Sequence, residues 1–216
     1  MRVFCGVLTA ILTSSTLSAA EPTAWKLTRA DVGKLPAGWT ADKTGQGEGS
    51  VWKVVADETA PSKSGLVLAQ TAASPNLTYN LCVRQDGAYK DVELKVAFKA
   101  VKGDKDQGGG FVWRYQDANN YYVARFNPLE DNYRLYHIVA GKRTQLVTKE
   151  QIRIETGAWH TLSIKHVGDR IECSLDGKMV LEAKDATITK PGKVGLWTKA
   201  DAYTYFDGFQ VTDLGK

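Results

Sequence analysis

The chain has 216 residues, three cysteines and a net charge of +4, with 28 basic and 24 acidic side chains interspersed along its length. So small and scattered an excess does not specify a nucleic-acid partner, which draws on clustered positive charge. Three cysteines are too few for the dense disulfide framework on which small secreted domains rely.

Met1 and Arg2 lead into an apolar stretch from Val3 to Leu12, and Ser18, Ala19 and Ala20 precede Glu21. This is the layout of a secretory signal peptide over residues 1–20 and predicts a secreted or periplasmic chain. No later apolar run approaches the roughly 18 to 20 residues that a membrane helix needs, so no membrane span is expected. The remainder, about 200 residues, suffices for one well-buried core, and a single domain over residues 21–216 is expected. Of its two cysteines, Cys82 and Cys173, either a bridge or two separate buried thiols would fit strand positions.

Period-two alternation recurs along this remainder, and no window of 11 or more residues carries a helical stripe. Strands are predicted at VWKVV (51–55), LVLAQ (66–70), DVELKVAFK (91–99), YRLYHIV (133–139), WHTLSIKHV (159–167), RIECSL (170–175), KVGLW (193–197) and TYFDGFQV (204–211). In the third of these Val92, Leu94, Val96 and Phe98 share one face and the charges largely take the other. Turn signals at Pro75-Asn76, Asp86-Gly87, Gly141, Gly168-Asp169, Asp176-Gly177 and Pro191-Gly192 separate the runs. A dozen or so short strands without helices between them indicate an antiparallel sandwich or barrel.

GGGFVWRYQDANNYYVARF (108–126) sets three glycines before two aromatic runs. It is not a phosphate loop, because that chemistry needs a helix amino terminus after the glycines and FVWRY is a strand sequence. Phe111 to Tyr115 and Tyr121 to Phe126 are expected to pair as a hairpin across Gln116 to Asn120. Glycines ahead of the first strand would let a bulge, a backbone or a ligand come close. Arg114 and Arg125 sit among the aromatic residues, and the hairpin register decides which face each takes. Tyr136 and His137 are expected on opposite faces of the next strand. Trp113, Tyr122 and Phe126 also fit a sandwich core.

The succession GGGFVWRYQDANNYYVARFNPLEDNYRLYHIVAGKRTQL (108–146), GAWHTLSIKHVGDRIECSLDGK (157–178) and GKVGLWTKADAYTYFDGFQV (192–211) resembles the concanavalin A-like lectin and glucanase jelly rolls. Within them it is most similar to the secreted bacterial group named for 3-keto-disaccharide hydrolases. The resemblance implies an all-β jelly-roll sandwich of two curved antiparallel sheets with a carbohydrate groove on the concave one. Fold alone does not establish catalysis, since that superfamily holds lectins, binding modules and hydrolases. The E-x-D-x-x-E strand of the family 16 glycoside hydrolases is absent, which argues against their two-carboxylate mechanism.

The leading expectation is a monomer that binds carbohydrate, gripping it with Arg114 and Arg125 and stacking it on Tyr122, Tyr136 or Trp197. His137 is the candidate general base, without an identified partner. Hydrolysis of a glycosidic bond, as in a 3-keto-disaccharide, and an envelope interaction domain without a sugar site are the alternatives. The last of these predicts paired arginines and a groove filled by side chains. Asp104 and Asp106 in GDKDQGGG lack the further ligands of a calcium loop and fit a solvated turn. Glu130 and Asp131 form an acidic turn that fits either a groove border or plain solvation. No cofactor is expected. The resemblance raises a structural calcium near the closing strand at Asp207, against a hydrogen bond from that carboxylate to a neighbouring loop.

Overall fold

The computed structural model describes residues 21–215, so the signal-peptide reading lies outside the described residues. Fifteen strands follow in order: Thr23–Ala24 (β1), Trp39–Gly45 (β2), Trp52–Ala56 (β3), Leu66–Gln70 (β4), Thr78–Arg84 (β5), Val92–Lys102 (β6), Gly109–Asp117 (β7), Asn120–Asn127 (β8), Asn132–Val139 (β9), Lys142–Lys149 (β10), His160–Val167 (β11), Arg170–Leu175 (β12), Lys178–Lys184 (β13), Lys193–Lys199 (β14) and Tyr203–Asp213 (β15). Apart from them the described residues hold only a single 3-10 turn, Arg29–Asp31. No described helix is long and apolar enough to cross a membrane.

One sheet runs β13-β12-β11-β6-β15-β4-β3, with β1 alongside β15; the other runs β10-β9-β8-β7-β14-β5-β2. Between them lies the main core. The alternation of β6 delivers Val92, Leu94, Val96 and Phe98, all fully buried, against Phe111, Trp113, Tyr122, Phe126, Leu135 and Leu196 of the second sheet. Cys82 and Cys173 are buried in this core and unpaired. Burying side chains of this size contributes on the order of 1.5 to 3 kcal/mol each.

The second sheet also buries its other face. Tyr79, Leu81, Val83, Val112, Tyr121, Val123, Tyr136, Ile138 and Trp197 form a separate cluster there. Curvature makes this cluster, as Arg143 on β10 shows. Five strand spacings separate it from Tyr79 on β5, roughly 24 Å in a flat sheet. Its guanidinium carbon nevertheless lies 5.0 Å from the Tyr79 ring centre and 4.7 Å from that of Tyr136. Likewise Thr44 of β2 donates to the Ala118 carbonyl and accepts from the Tyr121 hydroxyl at 2.7 Å, and Tyr115 of β7 donates to Asp42 of β2. The second sheet is therefore bent into a trough whose hollow side is lined with aromatic rings and closed over by side chains.

The β7–β8 hairpin differs from its expected form. Gly109 and Gly110 lie within β7, and Asp117 pairs with Asn120 across a two-residue turn, because a bulge between Trp113 and Asp117 absorbs the extra residues. Arg114 sits in that bulge at φ 44°, a left-handed conformation costly for a non-glycine residue. Gly110 faces Arg125 so closely that a Cβ there would meet the Ala124 carbonyl oxygen at 1.9 Å.

Candidate functional site

Register places the candidate residues. Leu81, Trp197, Gly110, Arg125 and Arg134 are successive partners across β5, β14, β7, β8 and β9, so they form one row on the hollow face. Tyr136, two residues from Arg134, and Trp197 belong to the aromatic trough, at 3% and 0% exposure. Arg125, Tyr136 and Trp197 thus share a face, as the saccharide expectation requires.

Arg114, Tyr122 and His137 do not share it. Tyr122 lies between the sheets, stacked on Trp113 with ring centres 5.5 Å apart. The bulge turns Arg114 inward at one end of the sandwich, where it donates to the carbonyls of Lys90 (2.9 Å), Ile188 (2.8 Å) and Gly168 (3.0 Å). It therefore ties three loops together. His137 takes the opposite face from Tyr136, as expected, with the Asp185 carboxylate 3.6 Å from its Nδ1, near but not hydrogen-bonded to it, a neighbour that sequence did not reveal. The Tyr122 hydroxyl donates to the same carboxylate and accepts from the Ile188 N–H at 3.1 Å.

Around Arg125 the hollow face becomes polar. Its guanidinium, 1% exposed, donates to Asn132 Oδ1 at 2.7 Å and to Glu130 Oε2 at 2.8 Å. Arg134 approaches Glu130 at 3.2 Å and Glu150 at 3.2 Å, and Arg153 approaches Asp131 at 3.6 Å. Glu130, Asp131, Glu150, Gln151 and Arg153 line a cavity of about 520 Å³, within the usual range for small-molecule sites. The NPLEDN turn therefore does border a groove. Behind it lies Asp106, which is fully buried rather than solvated. Its Oδ1 accepts from the Gly108 N–H at 2.7 Å, and Lys199 Nζ stands 3.4 Å from its Oδ2. Asp201 fixes that loop by accepting from the backbone N–H groups of Asp104, Lys105 and Asp106.

These two carboxyls hold protons differently. Burial pushes the pKa of Asp106 up, against the pull of Arg125, the Gly108 amide and Lys199. Burial also opposes ionisation of Glu130, but the charge and hydrogen bond of Arg125, with Asn132 and Arg134, outweigh it and bring that carboxyl down to about 2. Three buried atoms of this cluster, Arg125 Nε, Asn127 Nδ2 and Asp106 Oδ2, have no hydrogen-bond partner. Two buried donors left unpaired, beside an acceptor whose nearest partner is the Lys199 ammonium at 3.4 Å, are an uncommon cost for a folded chain.

Both Asp207 oxygens accept from Ser62, one from its N–H at 2.7 Å and one from its hydroxyl at 2.8 Å. Among the described residues no group of three or more His, Cys, Asp or Glu side chains is placed to hold a metal ion.

Two stacked antiparallel sheets, one bent around a hollow, make this a concanavalin A-like jelly roll, as its neighbours among solved structures confirm. The carbohydrate-binding module CBM66 of Bacillus subtilis superposes with a TM-score of 0.64 at 17% identity, covering 82% of this chain and 96% of the module. The β-glucanase of Bacillus licheniformis gives 0.57 at 13% identity, over 92% of this chain and 100% of that enzyme. A galectin-like protein of unknown function from Bacillus subtilis gives 0.55 at 11%, over 86% and 92%. Such identities establish the fold alone. The chain belongs to the 3-keto-alpha-glucoside-1,2-lyase-like domain family, whose profile matches residues 30–212. No curated protein matches it.

Proposed function

We propose that the chain is exported and binds a saccharide on the hollow side of the second sheet, at the cavity bordered by Glu130, Asp131, Glu150, Gln151 and Arg153. The observation that carries this reading is the arrangement of Arg125. A buried guanidinium with an unpaired Nε holds Glu130 and Asn132 in place at the edge of an open cavity, one row from Tyr136 and beside Trp197. Fixed carboxylates and guanidinium forks suit sugar hydroxyls, each of which both donates and accepts. Membership of a family named for a glucoside lyase, and a fold shared with a carbohydrate-binding module and a glucanase, support the same substrate class.

Calorimetric titration with maltotriose, cellotriose and xylotriose tests this. Wild-type protein is expected to bind at least one of them, and Glu130→Gln to weaken that binding at least tenfold while Lys95→Ala, exposed on the other sheet, changes it less than threefold. Wild-type protein that binds none of the three overturns the reading. An amino terminus at Glu21 on the exported protein, read by mass spectrometry, tests the export step.

A second reading, bond cleavage, is favoured by the family to which the chain belongs. The family description names a lyase, so the reaction would be elimination rather than the hydrolysis that the sequence offered as an alternative. A ketone at C3 acidifies the C2 hydrogen; a base removes it, a C1–C2 double bond forms, and the C1–O bond breaks as the departing oxygen takes a proton. Chromatography of 3-keto-glucoside incubations decides it: an unsaturated keto sugar together with the free aglycone is expected, and unchanged substrate contradicts it.

A further inference from the structure

The aromatic trough is the part of the hollow that the saccharide reading leaves unused, because its rings are covered. Part of the cover is the pair of links from β2, Thr44 to Ala118 and Asp42 to Tyr115, and the rest is one side chain from the opposite edge. Arg143 reaches in from the edge strand β10, and its guanidinium lies between the rings of Tyr79 and Tyr136, 5.0 and 4.7 Å from their centres. Beneath are Trp197, tilted on Tyr79 with ring centres 5.6 Å apart, and Tyr121. Nη1 of Arg143 is a buried donor in this space with no acceptor, while the fully buried Trp197 directs its N–H toward the Tyr121 hydroxyl. A structural plug would be expected to place its guanidinium against a carboxylate, as Arg125, Arg134 and Arg153 do elsewhere on this face. Arg143 has no salt-bridge partner among the described residues and is held by ring faces.

We propose, resting on the saccharide reading above, that Arg143 is a displaceable plug in a sugar-ring subsite, and that a neutral pyranose takes its place between Tyr79 and Tyr136. A guanidinium and a pyranose are both slabs that stack on aromatic faces at about this separation, one through its charge and the other through its C–H groups. The subsite continues directly into the Arg125 row, since Tyr136 lies two residues from Arg134 on the same face and Trp197 lies in the row itself. One chain of sugar units would thus run from the polar cavity into the trough. Arg143 would swing outward on its strand edge, where it is flanked by the exposed Lys142 and Thr144.

The plug makes a prediction opposite in sign to that for an ordinary binding arginine. Arg143→Ala in the full mature chain should bind at least one of maltotriose, cellotriose and xylotriose about tenfold or more tightly than wild type, because no guanidinium need be expelled. The gain should vanish when Tyr136→Ala is added, and quenching of Trp197 fluorescence should accompany it. Thermal melting of both variants checks that each folds; should Arg143→Ala not fold, Arg143→Gln, which keeps the stem and removes the charge, is read in its place and should show the same gain. If wild type binds an oligosaccharide and the Arg143 variants bind it no more tightly, the plug is refuted while the saccharide reading stands. If neither wild type nor variant binds any of the three, both are refuted.

Discussion

Arg114→Met is expected to lower stability by roughly 3 to 5 kcal/mol while leaving saccharide affinity unchanged within about twofold. Arg114 is 1% exposed and ends on three backbone carbonyls from three separate loops, with Asp91 at 3.6 Å. Methionine fills much of the space but donates nothing, so the three carbonyls lose their partner where water reaches poorly. A domain of this size generally has about 5 to 15 kcal/mol in all, so the loss is a large share. It should appear as a fall in melting temperature on the order of 10 °C. A melting temperature within about 2 °C of wild type, or an affinity reduced tenfold, would place Arg114 in the binding site instead.

The second large effect is on acid stability, through His166. This side chain is fully buried; Trp113 Nε1 donates to its Nδ1 at 2.9 Å, which fixes the neutral form with the proton on Nε2. Burial holds its pKa down at about 4 and the nearby Arg114 adds to this, while Asp91 and Asp185 pull weakly the other way. An unfolded histidine titrates near 6.5. Between those values the unfolded chain binds the proton and the folded chain does not, so the contribution of His166 is intact above about pH 6.5 and is lost as the pH falls towards 4. A displacement from 6.5 to about 4 corresponds to a loss of about 3 kcal/mol. Urea unfolding at pH 7 and pH 4 should show it as the excess acid sensitivity of wild type over His166→Gln, whose side-chain carbonyl can still accept from Trp113. Equal acid sensitivity in the two proteins would contradict it.

Sequence revealed most where the physics is local. Strands with one wet face, such as β6, β11 and β12, carry a period of two that can be read directly, and their predicted limits lie within a few residues of those observed. β5 was not predicted, because every residue from Thr78 to Arg84 is buried and no alternation remains. The mostly exposed edge strands β10 and β13 lacked a continuous apolar face. Cys82 on β5 and Cys173 on β12 face the common core from different sheets and are both buried and unpaired, one of the two arrangements the sequence left open.

For the site, the legible part was the set of residue types. Arg125, Tyr136 and Trp197 could be chosen from sequence, and period-two alternation is what brings them to one face. Arg114 could not be placed because its direction is set by a bulge and a positive φ, which reverse the alternation at a single residue. The groups beside Arg125 and His137 were of two kinds. Glu130 and Asn132 lie within the next turn, whereas Asp185 lies on the loop after β13, brought to His137 only by the stacking of the sheets. Asp106 looked like a turn residue and is buried because Asp201, nearly a hundred positions later, gathers its loop. Arg143 gave no signal at all, since its role depends on the curvature of the whole second sheet.

The central claim is that the hollow side of the second sheet receives a saccharide, and NMR titration of the labelled mature chain with maltotriose, cellotriose and xylotriose addresses it most directly. The account predicts that the amides shifted by the sugar cluster at Glu130, Arg134, Tyr136, Arg143 and Glu150. Shifts confined to the outer face of the other sheet, at Lys95, Thr161 and Ser174, or no shifts with any of the three, would contradict it.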